Sequence, residues 1–296
     1  MDPALDDWLA RGRRFDYLGF DVFHVVEGSG PPLLLIHGYP FSSFDWTLIW
    51  QALRERFTLI APDMLGMGFS AKPQRYHYTV ADHADMHEAL LASLGVDELH
   101  VLAHDIGDSV AQELLARDLP IRSIAWLNAG LFSEAYEPRP IQRLLSLTPV
   151  GDLLARFRLP DAVLRRALDE LFGPNTKPSP EQLVQFSEIL DYNDGRRVTH
   201  KVGRFILDRY RNRNRWVRAM RSTAVPMRLI NGPYDPNSGR HMAERYRELI
   251  ANADVVMLDD AIGHWPQLED PDGVLRALRD FRAYEQEVSR ERRPIG

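Results

Sequence analysis

Cysteine is absent from all 296 residues, which excludes disulfides, thiolate nucleophiles and cysteine-held zinc or iron-sulfur centres. No apolar run approaches the ~20 residues needed to span a bilayer. A basic excess is also missing: the formal net charge is -6, which argues against a general nucleic-acid binder. Met1 to Asp7 contain neither a basic stretch nor an apolar one, so no secretory leader is expected and a cytoplasmic location is. Internal repeats and low-complexity tracts are missing too. The chain has instead an ordinary globular composition, 45% hydrophobic and 26% charged, at a length that suits one large α/β domain or two small ones.

Short β-rich runs alternate with stretches of helical period, the pattern of a mostly parallel sheet covered on both faces. Strands are predicted at Phe20 to Val26, Leu33 to Ile36, Thr58 to Ala61, Leu99 to Ala103, Ser123 to Leu127, Met227 to Ile230 and Val255 to Leu258. Met86, Leu90 and Leu94 repeat at helical spacing between the third and fourth. From about Leu131 to Ser222 the alternation stops, and helix-like pieces are broken by Pro138, Pro140, Pro149, Gly173, Pro174, Pro178 and Pro180. That stretch is too long for a loop. It predicts a helical cap over 131–222, inserted into a core formed by 1–130 and 223–296, with substrate between the two. The charged end, Tyr284 to Pro294, is expected to fray.

Ala103-His104-Asp105-Ile106-Gly107 follows a predicted strand and opens a helix. This is the pattern of a nucleophile elbow, small-x-nucleophile-x-Gly, with aspartate in the reactive place. A carboxylate with a reference pKa near ~3.9 is already ionised and can displace a leaving group from saturated carbon, giving an alkyl-enzyme ester. Asp235 follows the strand Met227 to Ile230, and His264 follows Val255 to Leu258, which completes the chain order nucleophile, acid, histidine. In that reading Asp105 attacks, His264 deprotonates the water that hydrolyses the ester, and Asp235 fixes the imidazole. Taken alone, Asp235 reads as a turn aspartate and His264 as a hydrogen-bonded loop histidine; together and in order, the three point to a site.

His37-Gly38-Tyr39-Pro40 follows the strand Leu33 to Ile36. Its backbone at Tyr39 and the amide of Ile106 are the expected oxyanion-hole donors. Asp63 breaks the chain order and reads as a loop-shaping residue, whereas Asp108 and Ser109 read as a charge at the helix start and an exposed hydroxyl. Arg204, Arg209, Arg211, Arg213, Arg215, Arg218 and Arg221 crowd one segment. They read as a solvated helix face, with anion steering as the alternative.

These motifs resemble the α/β-hydrolases that carry an aspartate nucleophile, the epoxide hydrolases and haloalkane dehalogenases. The likeness runs through most of the chain and is most specific in His37 to Pro40, His104 to Gly107 and Gly263 to Pro271. A nearer resemblance is to the mesoderm-specific transcript branch, through Ser109 to Leu115, Arg215-Trp216-Val217, Asp259-Asp260 and Pro266 to Pro271. It implies an α/β-hydrolase fold with an inserted cap, a small apolar organic substrate, and no metal or organic cofactor. Similar dehalogenases hold the halide with a tryptophan after the nucleophile and often an asparagine in the His-Gly-x-Pro loop; this chain has Ile106 and Tyr39 there. The family's epoxide hydrolases use cap tyrosines to meet the alkoxide. Tyr136, Tyr192 and Tyr210 lie in the expected cap, but the family's Trp-Tyr-Arg segment is Trp216-Val217-Arg218 here.

An epoxide hydrolase is therefore the leading expectation. A haloalkane dehalogenase using Trp46 or Trp216 as halide donor is the second, and a retired hydrolase that binds a ligand or partner is the third. His37, Trp46, Tyr192 and Trp216 are the expected substrate-contacting residues, with Tyr192 favoured as proton donor.

Overall fold

A computed structural model describes residues 1–140, 142–143 and 161–281. The prediction for Tyr284 to Pro294, and the Pro149 break, lie outside the described residues. Among the described residues eight strands form one sheet in the order β1-β2-β4-β3-β5-β6-β7-β8. The strands are β1 (Arg13–Tyr17), β2 (Phe20–Gly28), β3 (Pro32–Ile36), β4 (Thr58–Pro62), β5 (Leu99–His104), β6 (Ile121–Leu127), β7 (Met227–Asn231) and β8 (Asp254–Met257). Only the β1-β2 and β2-β4 pairings are antiparallel. All seven predicted strands are present within a residue or two of their expected ends. β1 and the first helix, α1 (Pro3–Arg11), were not foreseen.

The central strands bury both faces because successive side chains point opposite ways. On β3, Leu34 and Ile36 join one apolar cluster while Leu33 and Leu35 join the other. The first cluster is closed by α3 (Val80–Ser93) and α4 (Ile106–Ala116), the second by α1, α2 (Thr47–Arg54) and later helices. Thr79 caps α3 by accepting from the Asp82 amide, and Met86 and Leu90 face the core, as their spacing predicts.

Between β6 and β7 the described chain is helical: α5 (Asp161–Leu171), α6 (Pro180–Asp191), α7 (Arg196–Val202) and α8 (Phe205–Ser222). Ser179 and Gln182 form a capping box at the start of α6, with Pro180 in the first turn. α9 (Arg240–Leu249), the short α10 (Pro266–Glu269) and α11 (Pro271–Arg279) are the remaining helices among the described residues. No described helix is long and apolar enough to cross a membrane. The parallel strands β3, β5, β6, β7 and β8 deliver their C-terminal loops to one edge of the sheet, where Tyr39, Asp105, Asp235 and His264 are found.

Candidate active site

Asp105 stands at the join of β5 and α4 with φ +52°, the left-handed backbone that a sharp strand-to-helix turn imposes. Gly107 makes the turn possible: a Cβ there would lie 2.2 Å from the Ile36 carbonyl oxygen. Asp105 is 4% exposed, and both its carboxylate oxygens are engaged. Oδ2 accepts from the Tyr39 amide at 3.2 Å, and Oδ1 faces Arg209 Nη2 at 3.1 Å.

His264 Nδ1 donates to Asp235 Oδ2 at 2.7 Å. Burial would raise the Asp235 carboxyl, but His264, the Ser238 hydroxyl and the Asn237 amide outweigh it and hold the pKa at about 2. Asn128 Nδ2 at 3.1 Å and Ser238 Oγ at 2.7 Å share Oδ2 with the imidazole, and the Asn237 amide donates to Oδ1 at 2.8 Å. Burial likewise opposes charge on His264, yet Asp235 and then Asp105 bring its pKa above the ordinary histidine value. Its backbone N–H donates to the Leu171 carbonyl at the end of α5.

Asp105 and His264 line one cavity of about 590 Å³, walled by Phe41, Leu164, Leu168, Leu171, Leu190 and Trp265. Tyr39, Thr199 and His200 face the same space, and Arg139, Arg166, Glu170 and Arg196 add charged groups to its wall. A largely apolar cavity beside a carboxylate and an imidazole suits attack on an uncharged organic molecule. No group of three or more potential metal-ligating side chains occurs among the described residues.

Residues 31–271 match the alpha/beta hydrolase fold family. The chain belongs to that family. It is 40% identical to the human mesoderm-specific transcript homolog protein over 95% of this chain and 88% of that one. Among solved structures, the epoxide hydrolase CorEH is 25% identical with a TM-score of 0.74, covering 92% of this chain and 98% of that one. The haloalkane dehalogenase DbeA from Bradyrhizobium elkani is 22% identical with a TM-score of 0.80 over 93% and 98%, a likeness of fold.

In this α/β-hydrolase, Asp105, Asp235, His264 and Tyr39 converge on the cavity or its back wall, and Ile106 opens α4 beside them with its side chain in the core. The four expected substrate contacts do not converge there. His37 is fully buried, donating from Nδ1 to the Gly38 carbonyl and accepting at Nε2 from the Met64 amide. Trp46 is packed in the apolar cluster under α1 and α2. Tyr192 sits edge-on to Phe69, with Arg14 3.3 Å from its hydroxyl and Lys72 over its ring. Trp216 donates to Glu113 at 2.6 Å. None of the four lines the cavity: His37 is held by hydrogen bonds at both nitrogens, Tyr192 and Trp216 have polar partners elsewhere, and the indole N–H of Trp46 is buried.

Two further expectations need correction. Asp108 and Ser109 are fully buried, not exposed, and burial together with Asp105 pushes the Asp108 carboxyl well above the usual range. The arginine-rich segment is not uniformly solvated, because Arg209 is 2% exposed. Arg213 and Arg215 pair with Glu134 and Glu113 on the outer side of the same helix. Asp63 behaves as a loop organiser, accepting from the Ser43 and Phe69 amides at 2.6 Å each.

Proposed function

We propose that this hydrolase opens epoxides through an ester on Asp105, and that the helices inserted between β6 and β7 act as its cap. The observation that carries the reading is the shared apolar cavity, which has a carboxylate and an Asp235-bound imidazole on one wall. A carboxylate oxygen of Asp105 attacks one epoxide carbon, the C–O bond breaks, and its electron pair stays on the departing oxygen as an alkoxide. Among the described residues lining the cavity, the Tyr39 hydroxyl and the His200 imidazole can carry a proton to meet it. Tyr39 is the better placed by element, since it lies in the loop beside Asp105; its hydroxyl donates to the Thr199 carbonyl at 3.2 Å and would swing to the alkoxide.

His264 Nε2 then takes a proton from water, and the hydroxide adds to Cγ of the ester. The Tyr39 amide, with the Ile106 amide proposed beside it, stabilises the tetrahedral oxyanion. On collapse the Cγ–O bond to the alcohol breaks, the diol leaves with the proton of the added hydroxyl, the Asp105 carboxylate returns, and the proton on His264 passes back to the Tyr39 phenolate. Asp235 stabilises the imidazolium during this step. The dehalogenase alternative has less support, because its expected halide donors, Trp46 and Trp216, do not face the cavity.

The test is a His264→Gln protein incubated with 1,2-epoxyhexane and 1-bromohexane, followed by peptide mass spectrometry. A hydroxyalkyl adduct on Asp105 from the epoxide is the expected result. Adduct from the bromoalkane alone would move the assignment to dehalogenation, and no adduct from either would remove the aspartate-ester mechanism.

A further inference from the structure

Arg209 reaches from α8, in the inserted segment, to the back of the elbow. Its Nη2 lies 2.8 Å from the Asp105 main-chain carbonyl and 3.1 Å from Oδ1, and its Nε donates to Ser109 Oγ at 2.8 Å. The guanidinium is held between the rings of Tyr136 and Phe205, at 4.5 and 4.6 Å. Gly130 makes the space, since a Cβ there would come within 2.2 Å of Nη1. Nη1 itself has no hydrogen-bond partner among the described residues. Arg209 is absent from the cavity wall, so it addresses the nucleophile rather than the substrate.

The charge on Asp105 changes during the proposed cycle, whereas the charge on Arg209 does not. In the ester Asp105 is neutral, and a buried guanidinium beside it lacks its anion. When hydroxide adds to Cγ, the π electron pair moves to the carbonyl oxygen as oxyanion; on collapse the C–O bond to the alcohol breaks and the carboxylate returns. Both steps restore negative charge next to the guanidinium.

Resting on Asp105 as nucleophile, we propose that Arg209 stabilises, from the Oδ1 side, the negative charge that returns to the Asp105 carboxyl group in ester hydrolysis, while the Tyr39 amide holds the oxyanion on Oδ2.

Single-turnover mass spectrometry with 1,2-epoxyhexane, timing adduct formation and adduct loss separately, tests this on Arg209→Met and Arg209→Lys with His264→Gln as control. Ester hydrolysis in Arg209→Met should slow by about 10²- to 10³-fold, the size of loss seen when a fixed donor to developing charge is removed. Adduct on Asp105 should then become visible. Arg209→Lys should fall between, keeping the charge but losing the fork. Equal loss in both half-reactions, or hydrolysis at the wild-type rate, overturns the proposal. Should Arg209→Met not fold, Gly130→Ala displaces the guanidinium from its other side and is read the same way. If His264→Gln itself traps no adduct, the aspartate-ester reading fails, which is distinct from a failure of Arg209 alone.

Discussion

His104 donates from Nε2 to the main-chain carbonyl of His264 at 2.7 Å. A carbonyl can only accept, so Nε2 carries the hydrogen and Nδ1 is left to accept from Gln267 at 3.3 Å. Burial, then the neighbouring His264, lowers the His104 pKa to about 3 and keeps the ring neutral. The residue before the proposed nucleophile thus anchors the loop that carries the proposed base. His104→Phe would leave the His264 carbonyl unpaired in the interior. Loss of about 1–3 kcal/mol in urea unfolding is expected, with slower epoxide turnover as the imidazole loses its register. A variant as stable and as active as the parent would take that anchoring role from His104.

The pH dependence follows from the sign of one shift. A general base must be neutral, so turnover should fall as pH drops through the His264 pKa, which Asp235 and Asp105 hold above the usual value against the effect of burial. Asp235→Asn removes the larger of the two raising influences and leaves burial in place. The acid limb of the rate profile should therefore move to lower pH. The plateau should drop on the order of 10⁴-fold, because the amide no longer fixes the working tautomer or stabilises the cation. Initial rates over about pH 5 to 9 measure both effects; an unmoved acid limb would assign the titration to another group.

Gly107 gives a purely steric prediction. The Cβ of Gly107→Ala would lie 2.2 Å from the Ile36 carbonyl and 2.9 Å from that of His37, both main-chain atoms in or beside a central strand. Backbone cannot turn aside as a flexible side chain can, so α4 would have to lift away from β3. A loss of at least about 2 kcal/mol in chemical unfolding is expected, with activity falling as the elbow shifts. Unchanged stability would mean that the approach of helix to strand is loose.

The elements that fill the sheet were legible because apolar runs, Gly-Pro punctuation and β-branched residues all agreed at each strand. That Asp105, Asp235 and His264 gather at one end of the sheet was legible because each follows a strand in order. α1 went unread although Asp2 accepts from the Ala4 amide and Pro3 opens the helix, both ordinary start signals. Arg209 was hidden by its company: six other arginines within 18 residues made a solvated face the simplest reading. Yet Phe205, Arg209, Trp216 and Met220 share one stripe at helical spacing, and all four are buried. A guanidinium on the apolar stripe of an amphipathic helix was the available signal for a buried anion opposite it. Trp46, Tyr192 and Trp216 failed for the reverse reason, since spacing alone cannot say on which side of a loop or helix a ring finds its packing.

Trp216 separates the two leaving-group chemistries. Its Nε1 donates to Glu113 at 2.6 Å, and Glu113 also receives Arg117 Nε at 2.8 Å and pairs with Arg215. Trp216→Phe keeps most of the ring and leaves that carboxylate with two guanidinium partners, so a stability loss of about 1–2 kcal/mol is expected. The rate of adduct formation on Asp105 from 1,2-epoxyhexane should stay within about twofold of the parent, because the indole N–H faces a glutamate and not the cavity. A residue that held a departing halide would behave differently, losing about 10²-fold or more with 1-bromohexane while sparing the epoxide. Parallel turnover of the two probes therefore decides whether the indole is a leaving-group donor or a strut between α8 and α4, and the geometry at Glu113 favours the strut.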